Sequence, residues 1–372
     1  MADTSMVAVV GASGFIASRL VEWLVLRNLA NVRPIVRSFK GMARLARFDL
    51  DCRVADARDP VALERQLKGC AVLFLCVVGG RNTILQSAEA SYRAAARAGV
   101  RRLVYLSSAV VHGHHPPQGT DDYSELVARQ PFEYNVSKVM AEHLFRRIRA
   151  DGAVEVVTLR PSIVFGPRSN WWTAQIATDL LSNKAYLIDG GAGICNTVYV
   201  DNLAQAMWQA AIAERVANQD FIVTDGERVT WLDLYSAVAE AVGVDIATVA
   251  MISSDAVTKL TRVARRKELL EKVATNRFAH VIRELIPSRV VETIRQQCNS
   301  ARLPAYSSAL VEPASRGLPS VDPEIASLQQ CQYVLPITRA REVLGYAPQV
   351  TFSEGGRRTA EWLRFAFGVA QD

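Results

Sequence analysis

The chain has 372 residues, of which half are hydrophobic and 22% are charged, so its composition excludes global disorder and predicts one or two globular domains. The 43 Lys and Arg residues against 37 Asp and Glu residues give a formal net charge of +6. Aromatic residues are not interleaved with the basic ones as nucleic-acid stacking requires. No apolar run approaches the roughly 20 residues that span a bilayer. We therefore expect a cytoplasmic protein with reduced thiols, no transmembrane segment and no nucleic-acid partner.

Short β-branched runs alternate with amphipathic stretches along much of the chain. The pattern predicts strands at residues 7–10, 32–36, 53–55, 72–77, 102–106, 156–160 and 221–224. It predicts helices at residues 17–27, 60–68, 87–98, 134–150 and 203–213. Strand–helix alternation of this kind indicates βαβ units, so we expect an α/β fold with a parallel sheet covered by helices on both faces.

Residues 255–332 differ in character from this pattern. Residues 255–324 carry 12 basic and 8 acidic side chains, so +4 of the net charge of +6 lies there. The stretch begins as basic helical sequence and continues as a Pro-rich segment. A solvated helix face, a site for phosphate-bearing small molecules and contact with an anionic surface all fit this composition.

A glycine-rich loop follows the first predicted strand. Gly11, Gly14 and Ala17 form a GxxGxxA pattern between strand 7–10 and the next helix. Small residues in this place let a dinucleotide pyrophosphate approach the free N–H groups at a helix N-terminus. The pattern in this context predicts a dinucleotide-binding loop.

The residues at the ends of the second and third predicted strands help to predict whether the dinucleotide is NAD or NADP. An acidic residue about 20 residues after the loop would bind the ribose 2′-hydroxyl of NAD, whereas an Arg accommodates the 2′-phosphate of NADP. Arg37 and Ser38 stand there, which favours NADP, although an Arg can also stack on adenine while NAD binds. Asp56, just after the third strand, is placed to meet the adenine amino group.

A tyrosine and a lysine lie one turn apart on the predicted helix 134–150. Tyr134 is a poor base at neutral pH, since a phenol has a pKa of about 10. The ammonium of Lys138, together with a positive nicotinamide, would favour the phenolate and suit Tyr134 to acid–base work. Ser107 and Ser108 directly follow strand 102–106, where a hydroxyl can bind a substrate oxygen as its charge develops.

Seven motifs in this order resemble those of the extended short-chain dehydrogenase/reductase family, the NAD-dependent nucleotide-sugar epimerase/dehydratase family. They are GASGFIA at 11–17, VADARD at 54–59, SSAVVHG at 107–113, YNVSK at 134–138, LRPSIVFGP at 159–167, VYVDNLAQA at 198–206, and TRAREVLGYAP with EGGRRTAEWL near the C-terminus. Together they cover most of the chain outside residues 255–332.

The resemblance implies a doubly wound parallel Rossmann sheet with a smaller C-terminal substrate domain. Residues 1–165, joined by 198–225, would form the NAD(P)-binding domain. Residues 166–197 and 226–372 would form the substrate domain, with the basic insertion at 255–332. The resemblance also implies a Ser108–Tyr134–Lys138 triad and a homodimer.

Two sets of binding residues follow from the motifs and the resemblance. The cofactor set, for NAD or NADP, consists of Gly11, Ser13, Gly14, Phe15, Ile16, Arg37, Ser38, Asp56, Ala57, Leu75, Cys76, Val77, Leu106, Tyr134, Lys138, Pro161 and Ile163. The substrate set consists of Gly79, Ser108, Val110, His112, Arg168, Asn170 and Cys195.

The chain departs from the family at positions that bear on the substrate. Sugar dehydratases typically follow the triad hydroxyl with an Asp-Glu pair, and its absence after Ser108 disfavours a 4,6-dehydratase. Members that bind a nucleotide diphosphate often carry Asn in place of Ile163 and a basic residue in place of Cys195. The pyrophosphate of a nucleotide sugar would then need other donors, for which Arg168, Asn170 and the basic insertion are available.

The predicted function is NAD(P)-dependent isomerisation of a nucleotide-activated sugar through transient hydride transfer. A pyranose–furanose mutase is a less usual form of the same chemistry. The alternative enzyme is a reductase or dehydrogenase of a steroid-like or isoprenoid alcohol or ketone, in which Ile163 and the pair at 171–172 would line an apolar pocket. The alternative outside catalysis is a cofactor-binding structural subunit, against which the intact triad argues.

Three histidines crowd the loop after the triad serine. His112, His114 and His115 could bind a metal or add an acid–base group. No acidic or Cys ligand accompanies them in the loop, so the sequence predicts no metal site.

Overall fold

The structure is a computed structural model that describes residues 6–257 and 320–368. Its centre is a seven-stranded sheet in which every pair of neighbouring strands is parallel. The strands are β1 (Met6–Val10), β2 (Asn31–Val36), β3 (Arg53–Val54), β4 (Cys70–Leu75), β5 (Arg102–Leu106), β6 (Glu155–Pro161) and β10 (Asp220–Val223). They lie in the order β10-β6-β5-β4-β1-β2-β3.

Ten helices lie along the described residues. They are α1 (Phe15–Leu26), α2 (Pro60–Leu67), α3 (Arg81–Ala98), α4 (Glu133–Ile148), α5 (Gln175–Leu181), α6 (Val200–Ile212), α7 (Trp231–Ala241), α8 (Pro323–Leu328), α9 (Thr338–Leu344) and α10 (Phe352–Phe367). Apolar residues of α2, α3 and α4 pack on one face of the sheet, and those of α1, α6 and α9 pack on the other. The predicted doubly wound α/β fold is therefore confirmed.

The sheet contains all seven predicted strands within two residues of their expected ends. The prediction for α3 was wrong at its start, because this helix begins at Arg81 and not at residue 87. The first three residues of α3 are polar, and Arg81 and Asn82 are exposed, so hydrophobic periodicity did not indicate the start of the helix.

The order of the strands creates a crevice beside β1. The chain passes from β1 outward to β2 and β3, and then returns to place β4 on the other side of β1. Connections after β1 and β4 therefore leave toward opposite faces of the sheet, which opens a crevice at the carboxyl ends of these strands. Ligands of open parallel sheets bind in such a crevice.

A second layer of structure lies beyond these carboxyl ends. Strands β7 (Ile163–Phe165) and β9 (Thr197–Tyr199) form one parallel pair, and β8 (Tyr186–Ile188) and β11 (Ala250–Ile252) form another. Apolar residues of α5, α7 and α10 pack together around the buried Trp231. This cluster supports the loops that face the crevice.

Most of the predicted insertion at 255–332 lies outside the described residues, which resume at 320. The chain from there is bonded to the second layer: the Ile194 amide donates to the Cys331 carbonyl over 2.7 Å, and the Trp231 indole donates to the Leu328 carbonyl over 3.1 Å. In the parts of the chain that the structure describes, no helix is long and apolar enough to cross a membrane.

Substitution of Gly193 by Ala should destabilise the protein, because a Cβ there would lie 1.8 Å from the Gln329 carbonyl oxygen. We expect a loss of about 1–3 kcal/mol of unfolding free energy, as is usual for overpacking. The control is Gly356→Ala in α10, where a Cβ meets only Ala237 at 3.8 Å and removal of a helical Gly gains up to about 1 kcal/mol. Thermal unfolding of both variants checks the difference, and equal Tm values would contradict it.

Candidate active site

The loop after β1 has the shape that a closely approaching ligand needs. Gly11 has a φ of +84°, and a Cβ at this position would lie 2.9 Å from the Cys76 carbonyl oxygen. Gly14 is the N-cap residue of α1, and its first turn carries no acidic side chain and no side-chain cap. The N–H groups at the start of α1 thus meet no competing protein anion, which fits a bound pyrophosphate.

The remaining residues of the predicted cofactor set follow the carboxyl ends of the parallel strands. Because these ends meet at one edge of the sheet, the set lies along one side of the crevice. Arg37 and Ser38 are exposed just after β2, whereas Leu75, Cys76, Leu106 and Ile163 are buried. Ser13, Phe15 and Ile16 belong to the loop and first turn of α1, Ala57 follows β3, Val77 follows β4, and Pro161 ends β6.

Asp56 already has a partner within the protein. Its Oδ1 accepts hydrogen bonds from the backbone and side chain of Arg58, and its Oδ2 accepts from the Arg58 guanidinium over 2.6 Å. These contacts lower the pKa of Asp56 to about 2, and the nearby charge of Arg37 adds to the effect. The sequence did not indicate Arg58 as the partner that orients this carboxylate, which is predicted to meet the adenine.

The predicted triad residues come together at the end of β5. Ser108 is buried there, close enough to the half-buried Tyr134 at the start of α4 to lower the pKa of its phenol. Burial raises the pKa of Tyr134 to about 12, and Ser108 opposes this rise. In the absence of a ligand, Tyr134 is therefore a neutral phenol that can donate a proton.

Lys138 lies beneath Tyr134 in the interior. Its Nζ donates to the Leu106 carbonyl over 2.8 Å and lies 5.7 Å from the centre of the Tyr134 ring. Burial lowers the pKa of Lys138 to about 8, so the side chain is an ammonium at neutral pH and loses its charge as the pH rises through 8. An ammonium in this place favours the phenolate form of Tyr134.

Four members of the predicted substrate set stand at accessible positions. Gly79, Arg168 and Asn170 are exposed and Val110 is half-buried, and Arg168 adopts a left-handed backbone with a φ of +71°. Arg168 and Asn170 follow β7 on the side of the second layer.

Two further members of that set are buried, and their contact with a substrate stays a prediction. Cys195 is 0% exposed in the apolar cluster around Trp231. His112 is 3% exposed, and its Nε2 lies 3.3 Å from Nη1 of Arg160. Burial and the charge of Arg160 lower the pKa of His112 to about 4, so it is neutral at physiological pH.

The other two histidines of the loop make separate contacts. The buried His114 stacks on Phe132 and lies 2.9 Å from the Asn135 amide nitrogen. His115 contacts the Ser327 carbonyl over 2.6 Å. The three rings thus point to different partners, and within residues 6–257 and 320–368 no three His, Cys, Asp or Glu side chains converge as metal ligands.

Three charged residues near the predicted triad were not among the predicted site residues. Glu142 and Arg160 form an ion pair that is buried behind Lys138. Glu324 of α8 lies 4.0 Å from His114, and its charge contributes to the raised pKa of Tyr134. Arg160 is a charged residue in a mostly apolar strand, and this could have indicated a special role. Nothing in the sequence indicated Glu324, because it is far from the triad along the chain.

Residues 7–223 match the model of the NAD dependent epimerase/dehydratase family. The chain belongs to this family. It is therefore an NAD-dependent enzyme of the extended short-chain dehydrogenase/reductase type, as the motifs had indicated.

Individual relatives differ in the reaction that their names describe. The 4-hydroxy-2-methyl-3-oxo-4-farnesyl-3,4-dihydroquinoline-1-oxide ketoreductase of Stigmatella aurantiaca is 26% identical over 63% of this chain and 73% of its own. The UDP-glucose 4-epimerase of Vibrio cholerae is 26% identical over 62% and 74%. The dTDP-glucose 4,6-dehydratase of Streptomyces venezuelae, solved with NAD bound, shares the fold with a TM-score of 0.68 and 19% identity, covering 98% of both chains.

Replacement of Gly11 by Ala should weaken NAD(P)H binding at least about tenfold, because the new Cβ would push Cys76 and the loop apart at the pyrophosphate position. Fluorescence titration with NADH and NADPH measures the effect. Gly69→Ala is the matched control, since Gly69 has a similar φ of +79° but an open surrounding at the opposite end of β4. Equal affinities for the two variants would argue against this loop as the binding site.

Proposed function

We propose that the enzyme transfers hydride between NAD(P) and a carbon that bears a hydroxyl or keto oxygen. The observation that carries this proposal is that Ser108 and Tyr134 lie close together beside the buried ammonium of Lys138, at the edge of the sheet where the glycine loop lies. The three side chains supply an oxygen ligand, a proton donor or acceptor, and a positive charge.

Each side chain has a distinct task in this reaction. The nicotinamide, when bound, accepts or supplies the hydride. In the oxidation direction Tyr134 takes the hydroxyl proton as the hydride leaves the carbon, and in the reduction direction it returns a proton to the ketone oxygen. Ser108 donates a hydrogen bond to that oxygen. Lys138 favours the phenolate of Tyr134, and its Nζ lies where it can also hold the nicotinamide ribose.

A nucleotide-activated sugar is the first candidate substrate. Oxidation of one sugar hydroxyl followed by hydride return to the opposite face of the ketone gives epimerisation, and rearrangement of the ketone before hydride returns gives a mutase. The Vibrio cholerae relative and the Streptomyces venezuelae structure act on sugars of this kind by name, which supports the proposal. Arg168 and Asn170 are the accessible polar groups that could bind the diphosphate.

An apolar ketone or alcohol is the second candidate, and the surroundings of two residues favour it. Ile163 and Cys195 occupy positions where relatives that bind diphosphates often carry Asn and a basic residue. Both are buried in the apolar cluster around Trp231 and offer no charge to a diphosphate. The Stigmatella aurantiaca relative is by name a ketoreductase of a farnesylated compound, which fits this substrate class.

A thermal-shift panel separates the two substrate classes, because ligands that bind the native state raise its Tm. NAD, NADP and UDP-, GDP- and dTDP-sugars are tested singly and in pairs, together with steroid and isoprenoid ketones. A shift with one nucleotide sugar that grows with cofactor supports the isomerase. A shift with an apolar ketone and cofactor supports the reductase. The absence of any cofactor shift would contradict the proposed reaction and favour a structural subunit.

Tyr134→Phe should abolish turnover of the substrate found in this way and leave cofactor affinity within a factor of about two, because only the transferable proton is lost. Tyr123→Phe is the control, since Tyr123 is an exposed tyrosine outside the triad. Steady-state kinetics and NAD(P)H titration provide the two measurements. Retained turnover in Tyr134→Phe would overturn the assignment of the acid–base group.

We further propose that the enzyme prefers NADP, because Arg37 is exposed at the end of β2 where a 2′-phosphate would lie. Arg37→Ser should weaken NADPH binding about 10- to 100-fold, the usual loss for a charge-assisted hydrogen bond, and change NADH binding little. Arg27→Ser removes the same charge at the far end of α1 and serves as the control. Equal losses for NADPH and NADH would indicate adenine stacking by Arg37 instead.

A further inference from the structure

A buried ion pair lies directly behind the triad. Nη2 of Arg160 on β6 lies 2.7 Å from Oε2 of Glu142 on α4, and Nε lies 3.1 Å from Oε1. The two side chains are 0% and 1% exposed. Replacement of such pairs by apolar residues is often neutral or favourable for stability, so stability alone gives little reason for this one.

The pair is connected to the backbone that carries the triad serine. The Ser107 hydroxyl donates to Oε1 of Glu142 over 2.6 Å, and the Lys138 ammonium donates to the Leu106 carbonyl over 2.8 Å. Two consecutive residues at the end of β5 are therefore bonded to α4, one turn apart on the same helix. Ser108 is the next residue along the chain, so its position relative to Tyr134 depends on both bonds.

The charge of Glu142 also acts on Lys138. Four titratable side chains act on or face the Lys138 ammonium: Cys76 beyond β4, Tyr105 of β5, and Tyr134 and Glu142 of α4. Burial lowers the pKa of Lys138, while Cys76 in its ionised form and Glu142 act in the opposite direction. Burial raises the pKa of the Cys76 thiol to about 12, so below that pH the opposing anion is Glu142.

Four side chains contact Glu142 or interact with its charge. They are Ser107 of β5, Arg160 of β6, Arg146 on the next turn of α4 at 3.8 Å, and Tyr105. Arg160 in turn contacts Asp220, His112 and the Asp122 carbonyl. Asp220 has two further partners in Arg146 and Arg149, so it stays paired if Arg160 is replaced.

We propose that Glu142 is a positioning residue of the active site: it keeps Lys138 in the ammonium form and fixes the backbone of Ser108, and Arg160 balances its charge in the interior. This inference rests on the proposed function, because Lys138 serves cofactor binding and proton transfer there. Its direct consequence is that cofactor affinity depends on pH through Lys138, at a midpoint that Glu142 sets.

The test is a fluorescence titration of NADPH between pH 6 and 10, which needs no substrate. In the wild-type enzyme the affinity should fall several-fold as the pH rises through about 8, where Lys138 loses its proton. Glu142→Gln keeps the shape of the side chain and removes its charge, so the midpoint should move down by about one pH unit or more. Lys138→Met should show no midpoint in this range.

Two further variants separate position from charge. Ser107→Ala removes the hydrogen bond and leaves the charge, so its midpoint should equal that of the wild type. Glu142→Gln combined with Arg160→Met removes both buried charges, so it should fold even if the loss of the Glu142 charge beside Arg160 destabilises the single variant, and it should keep the lowered midpoint.

The outcomes distinguish the inference from the function on which it rests. An unchanged midpoint in Glu142→Gln and in the double variant, with only a lower Tm, would show a purely structural role and overturn the inference. A wild-type affinity that is constant over the whole range would also overturn it while cofactor binding stands. A wild-type enzyme that binds neither NADPH nor NADH would overturn both.

Discussion

The hydrogen bond from the buried Lys138 ammonium to the Leu106 carbonyl joins helix α4 to the end of strand β5. Tyr134 stands one turn before Lys138 on α4, and Ser108 stands two residues after Leu106, so this bond fixes the distance between the two hydroxyls of the triad. A buried ammonium without partners would lose its proton or destabilise the fold. The carbonyl, the Tyr105 ring and the charge of Glu142 together stabilise it. The charge that the proposed reaction uses is thus also a constraint on the architecture.

On the side of the candidate site where a substrate is expected, apolar packing and not a buried charge determines the structure. Ile163 and Cys195 belong to the same apolar cluster as Trp231, and that cluster holds β7, α5, α7 and α10 together. A polar or basic side chain at either position would need a partner inside this packing. Ile163 and Cys195 therefore affect both the groups offered to a ligand at these positions and the packing of the second layer. A substitution at either position is expected to change both. The polar groups still accessible to a substrate lie on the surface after β7, at Arg168 and Asn170.

Local sequence patterns predicted the parts of the molecule that depend on local interactions. The strand before Gly11, the helix after it and the one-turn spacing of Tyr134 and Lys138 are all properties of short segments, and the structure has each of them. His112 was different, because its surroundings depend on Arg160 from a strand 48 residues away. Its sequence position near Ser108 predicted a substrate contact but could not reveal this contact with Arg160. The positioning role proposed for Glu142 could not be predicted for the same reason, because Ser107 and Arg160 belong to other parts of the chain.

Contacts between residues far apart in sequence bring together the parts of the chain that precede residue 258 and follow residue 319. Ile252 and Val257, the last apolar residues described before residue 258, share one small cluster with Val321, Ile325 and Ala326. The chain therefore leaves and re-enters the described structure at one place. The same returning segment brings Ser327 to His115 and Glu324 to His114, across more than 200 residues of sequence. The histidine loop after Ser108 and the chain after the insertion are consequently one structural unit, and a change in the length of either must preserve these contacts.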